Sequence, residues 1–211
     1  MKHIAVLVSG GGTNLQALID AQGRGEIVNG SITAVISSSP EAYALERAKQ
    51  AGIPGYVLAR QDYPSNRAMT VALVDKLREL DIQLVVLAGF MTILTEEMVQ
   101  AFPNAILNIH PALIPSFAGP GCYGLHVHEK ALAYGVKLSG ATVHFVSPEC
   151  DGGPIVLQKA VEVLPDDTPE VLQRRIMEQC EWKLLPLAVS LFCQDRLVVE
   201  GRTVRILDKS F

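Results

Sequence analysis

Ile4-Ala5-Val6-Leu7-Val8-Ser9-Gly10-Gly11-Gly12-Thr13-Asn14-Leu15 decides the fold. Ile4–Val8 is an unbroken apolar run, the pattern of a parallel strand covered on both faces. The glycines then turn the chain, and Leu15, Leu18 and Ile19 recur at helical spacing through Asn14–Gln22, with Gly23 and Gly25 as stop signals. Strand, glycine turn and helix form the opening of a doubly wound α/β unit. Working outward, strands are expected at Ile32–Ile36, Tyr56–Leu58, Leu84–Ala88 and Ala105–Ile109. Helices are expected at Glu41–Ala51 and at Ala68–Leu80, the latter with Val71, Val74 and Leu77 on its apolar face. Strands alternating with helices predict a doubly wound, mostly parallel, Rossmann-like sheet with right-handed crossovers.

Beyond about residue 138 the pattern changes. Ala141–Val146 and Ile155–Val163 flank the turn Ser147–Pro154 with no room for a helix, so they should pair antiparallel. Thr168–Phe192 reads as one long helix, with Thr168 as N-cap and Pro169 at its first position. Leu197–Val199 and Thr203–Ile206 read as a hairpin. With no repeat, low-complexity tract or linker, the expectation is a single domain over 1–211.

Composition narrows the function. Of 211 residues 49% are hydrophobic and 19% charged, enough to bury a core. The balance of 18 Lys and Arg against 22 Asp and Glu gives a net charge of −4, opposite to a nucleic-acid binder. The apolar run of the first strand is too short for a signal core or a membrane span, so a cytoplasmic protein without membrane partner is expected. Cys122, Cys150, Cys180 and Cys193 contain no C-x-x-C pair and read as free thiols.

Adjacent glycines at a helix N-terminus let backbone N–H groups converge on an anion. The dinucleotide fingerprint is incomplete, because Leu15 stands where its third glycine belongs and the second strand ends in Ser37-Ser38-Ser39, not an acid. There is no Walker lysine. The turn suits a single phosphate, or a tight turn that binds nothing. In Asn108-Ile109-His110-Pro111, alternate residues of a strand end face the same way, so Asn108 and His110 present an amide and an imidazole together. Such donors stabilise an oxygen that gains negative charge; a buried structural histidine is the alternative. Asp151 in Asp151-Gly152-Gly153-Pro154 is either an ordinary turn residue or a carboxylate that raises the pKa of His110 and keeps it protonated. His126, His128 and His144 lack the carboxylate or cysteine company of a metal site, and His144 reads as packed within its strand.

Ser9-Gly10-Gly11-Gly12-Thr13-Asn14-Leu15-Gln16, Leu87-Ala88-Gly89-Phe90-Met91, Leu107-Asn108-Ile109-His110-Pro111 and Asp151-Gly152-Gly153-Pro154 occur in this order. Together they resemble the phosphoribosylglycinamide formyltransferases, a branch of the formyltetrahydrofolate-using superfamily, over nearly the whole chain. The resemblance implies a single formyltransferase domain. Roughly 1–100 would bind the ribonucleotide phosphate, and roughly 101–211 would carry catalysis and folate binding. It implies Asn108, His110 and Asp151 as catalytic residues. Gly12, Thr13, Asn14, Leu15 and Glu181 would bind ribonucleotide, with Glu178 one turn before Glu181. Arg67, Met91, Thr92, Ile93, Leu94 and Asn108, with the turn Ser147–Asp151, would bind folate. The donor would be 10-formyltetrahydrofolate, with no metal. The partners would be small molecules, on a monomer or weak homodimer.

Some relatives carry Arg where Thr92 stands, and Ser116–Gly124 is longer than in many of them, as a lid or a lengthened loop. Two rivals in the superfamily carry further domains. The deformylases add an amino-terminal regulatory domain, and the methionyl-tRNA formyltransferases a carboxy-terminal RNA-binding domain. Neither fits a chain with its first strand at His3 and its end at Phe211. A non-catalytic nucleotide-sensing module would bind phosphate without needing Asn108, His110 or Asp151.

Overall fold

The computed structural model describes residues 1–208. The chain packs as two compact units, Met1–Asn108 and a second beginning at Ile109. In the first, β1 (Lys2–Val8), α1 (Thr13–Gly23), β2 (Gly30–Ser37), α2 (Tyr43–Gln50), β3 (Gly55–Val57), α3 (Asn66–Glu79), β4 (Leu84–Leu87), α4 (Glu96–Ala101) and the start of β5 (Ile106–His110) follow one another. Every strand pair here is parallel: β1 lies between β2 and β4, β3 flanks β2, and Ile106–Asn108 pair with Val85–Leu87. Ile4–Val8 are wholly buried, as the unbroken apolar run predicts for a central strand. The order β3-β2-β1-β4-β5 reverses direction between β1 and β4. Such a switch point places ligand-binding turns at the carboxyl ends of those two strands.

The second unit holds α5 (Leu125–Tyr134), β6 (Leu138–Phe145), β7 (Ile155–Glu162), α6 (Pro169–Ile176), α7 (Trp182–Cys193), β8 (Leu197–Glu200) and β9 (Thr203–Ile206). β6 and β7 pair antiparallel from Leu138 opposite Glu162 to His144 opposite Ile155, and β8 and β9 close the expected hairpin. The fold is therefore mixed α/β, mostly parallel, with antiparallel pairing in its C-terminal part.

Three expectations change. The long helix is interrupted by a π-helical turn, Met177–Glu181, although Thr168 does cap its start by accepting from Val171 N. On α3 the buried face runs through Met69, Thr70, Leu73, Val74 and Leu77 while Val71 is exposed. The helices α4 and α5 lie in stretches for which no element is expected from the sequence. Among the described residues no helix is long and apolar enough to cross a membrane.

Candidate active site

In the first unit, Gly12 is the N-cap of α1 with φ +73°, a left-handed conformation that suits glycine. A Cβ there would sit 2.6 Å from that of Ala44, so a side chain is barred by conformation and by space together. Gly12 brings no side chain to cap α1, and the first turn of a helix is where backbone N–H groups and the helix dipole favour an anion. Thr13 and Asn14 are half-buried, and Leu15 is wholly buried. Ser9 ties this turn to the one after β4: its Oγ accepts from Met91 N at 2.8 Å and lies 2.6 Å from Ser38 Oγ.

The segment after β4 is not core. Met91 is 54% and Ile93 75% exposed, so both leave apolar surface open to solvent. Thr92 and Leu94 are half-buried. Arg67 is exposed and pairs with Glu97 at 2.5 Å, and Glu97 also accepts from Thr95 Oγ1.

The second unit assembles the charged cluster. His110 ends β5, Asp151 sits in the turn between β6 and β7 at φ +52°, and His144 lies near the end of β6. His110 Nδ1 is 3.6 Å from Asp151 Oδ2, His144 Nε2 is 3.6 Å from Asp151 Oδ1, and Gly119 N donates to Asp151 Oδ2 at 2.9 Å. Burial by itself would raise the Asp151 pKa. The hydrogen bond to His144, the charge of His110 and the Gly119 N–H outweigh it and bring it to about 2. The carboxylate is ionised throughout the working range.

His110 itself departs from expectation. Burial of the ring, only 4% exposed, is the strongest influence and lowers its pKa below the ordinary value, although Asp151 and the Phe117 carbonyl both pull it up. Its Nε2 lies 2.8 Å from the Phe117 carbonyl, which can only accept, so that nitrogen carries a proton. With its Nε2–H fixed in this way the imidazole is a hydrogen-bond donor. Asn108, two residues earlier on β5 and half-buried, faces the same side of the strand.

The pairing of His110 with Asp151 joins residues far apart in sequence, which the motifs alone could not show. Strand packing is the right reading of His144, whose Nδ1 donates to the Phe145 carbonyl at 2.8 Å, but its other nitrogen faces Asp151. The available signal is the hairpin: antiparallel pairing brings the end of β6 beside its own turn. From the sequence, His128 is named only to be set aside as a metal ligand, and Phe117 is given no role of its own. His128 is fully buried on α5, has no hydrogen-bond partner at either ring nitrogen among the described residues, and is lowered to about 4 by burial and by His110. Glu181 is buried on the π-helical turn, and Glu178, on the same turn, pairs with Arg174. All four cysteines are free.

Comparison with known proteins follows the same lines. The model of the formyl transferase family matches residues 2–189. Phosphoribosylglycinamide formyltransferase of Haemophilus influenzae is 46% identical over 197 residues, covering 93% of this chain and 90% of that protein. The trifunctional purine biosynthetic protein adenosine-3 of Drosophila melanogaster is 41% identical over 182 residues, 86% of this chain and 13% of that protein. The crystal structure of glycinamide ribonucleotide transformylase 1 from Symbiobacterium toebii superposes with a TM-score of 0.93 at 48% identity, covering 99% of this chain and 95% of that one.

Proposed function

Because this chain belongs to the formyl transferase family, we propose that it moves the formyl group of 10-formyltetrahydrofolate to the amine of 5′-phosphoribosylglycinamide, a step of purine synthesis. The observation that carries the reading is the ionised Asp151 held against the His110 imidazole, with Asn108 on the same strand. In the reaction the substrate amine attacks the formyl carbon and the carbonyl oxygen becomes an oxyanion. The His110 Nε2–H, released from the Phe117 carbonyl, and the Asn108 amide donate to that oxygen. Asp151 accepts a proton from the ammonium that attack creates and passes it to folate nitrogen N10 as its bond to the formyl carbon breaks. The products are the formylated ribonucleotide and tetrahydrofolate.

A primary amine is already a nucleophile, so no step is assigned to a metal. Gly12, Thr13, Asn14 and the backbone at Leu15 take the phosphate, and Glu181 the ribonucleotide. Met91, Thr92, Ile93, Leu94 and Arg67 take the folate. The protein is cytoplasmic and acts as one formyltransferase domain. Departure of Arg67 from Glu97 accompanies folate binding, because a guanidinium on an exposed pair is readily re-partnered.

The test is to follow loss of the formyl group from 10-formyltetrahydrofolate with and without phosphoribosylglycinamide. Turnover is expected only when the ribonucleotide is present. Equal turnover without it means hydrolysis and overturns the transferase reading. Folded protein that turns over in neither case is a binding module.

A further inference from the structure

The carbonyls of Gly10 and Gly11 are both drawn to α2. Ala44 N donates to Gly10 O at 3.1 Å, and Arg47 Nε donates to Gly11 O at 2.8 Å. In a trans peptide the N–H lies opposite the C=O. Two neighbouring peptide planes with their carbonyls toward α2 therefore turn the N–H groups of Gly11 and Gly12 away from it, side by side. That is the backbone arrangement that cradles an anion. Gly10 and Gly11 have no side chain, and nothing lies within 4 Å of where a Cβ would stand, so their own packing does not fix these planes. The guanidinium, in contrast, is held on three sides: Nε on Gly11 O, Nη1 on Gln16 Oε1 at 2.9 Å, and its carbon 5.0 Å over the Tyr43 ring.

We propose that Arg47 is the positioning residue of the phosphate turn: by holding the Gly11 carbonyl it aims the Gly12 N–H at the phosphate of the ribonucleotide. This rests on the transferase reading and adds to it a residue on α2, outside the glycine motif. The planar fork matters, because one guanidinium must serve a backbone carbonyl and a side-chain amide together. A lysine offers one compact charge and restores part of the effect.

The experiment compares wild type, Arg47→Met and Arg47→Lys by steady-state kinetics, calorimetry with ribose 5-phosphate, and amide resonances of the free protein. Arg47→Met should raise KM for phosphoribosylglycinamide by at least ~10-fold, the scale of one charge-assisted hydrogen bond. kcat and KM for the formyl donor should stay within about twofold, since no group at the reacting atoms changes. Arg47→Lys should fall between. The Gly11 and Gly12 amide resonances should move in the free Arg47→Met protein. Unmoved resonances would show a direct phosphate contact in place of positioning and overturn the inference, as would an unchanged ribonucleotide KM. A loss spread over kcat and both KM values would mean general damage and also overturn it. Wild type that binds neither ribose 5-phosphate nor the ribonucleotide removes the transferase reading, and this inference with it.

Discussion

At Asp151 one carboxylate accepts a backbone N–H and faces two buried imidazoles, so its charge bears on stability as well as on the proposed chemistry. Asp151→Asn keeps the shape but loses the acceptor, and His110→Ala loses the donor. Each should lower kcat by about 10²–10³-fold while ribose 5-phosphate binding by calorimetry stays as in wild type; a folded variant that no longer binds it contradicts the catalytic roles of these two residues. The pH dependence of stability follows from the same groups. Asp151 falls from 3.8 to about 2 on folding, so its contribution is fully present above roughly pH 4 and disappears as pH falls through 2. His110 is lowered from 6.5, so below pH 6.5 the unfolded chain takes up the proton more readily and stability declines there as well. Urea midpoints should therefore fall on acidification in wild type, and the steep part below roughly pH 4 should flatten in Asp151→Asn. An unchanged acid limb in that variant would refute the assignment.

Among the elements, what periodicity could see was legible and what needed a contact was not. β1, β2, β4 and the β6–β7 pair declare themselves by apolar runs and by the absence of a helix between the last two. α4 is only six residues with Met98 its single buried side chain, too little for a period. α5 hides because one of its inward residues is His128, which a hydrophobicity pattern counts as polar. The π-helical turn escapes for a different reason: a one-residue widening inside a helix barely disturbs the apolar spacing, yet it accompanies the burial of Glu181. The candidate catalytic residues were readable as motifs, whereas the His144 contact, the Phe117 carbonyl and the depressed His110 arise only from burial and tertiary packing. The Asp151 turn shows how tightly packing binds the motif. A Cβ on Gly153 would collide with the Phe145 carbonyl, on a residue whose N–H is fixed to Pro154 O at 2.9 Å. Gly153→Ala should shift the turn and cut kcat by more than ~10-fold, the sensitivity expected of a misplaced catalytic group. Its ribose 5-phosphate affinity should be unchanged; full activity would show that the turn tolerates the movement.

For the molecule as a whole, the phosphate turn and Asn108 lie in the unit Met1–Asn108, and the His110–Asp151 cluster and Glu181 in the unit that follows. Lesions in the glycine turn and at Asp151 should have separate effects on ribonucleotide binding, and global stability can report it. A ligand that binds only the native state adds about 2.7 kcal/mol at a hundred times its Kd. At about 2–4 °C per kcal/mol for a chain of this length, that is a rise in Tm of roughly 5–10 °C. Phosphoribosylglycinamide should produce this rise in wild type and equally in Asp151→Asn, whose lesion lies in the other unit. Gly12→Val should abolish it, because the substitution needs φ +73° and meets Ala44 at 2.6 Å. Each variant is compared with itself, with and without ligand, so its own loss of stability cancels. A ligand-induced rise that survives Gly12→Val, or vanishes in Asp151→Asn, would place the phosphate somewhere other than the glycine turn.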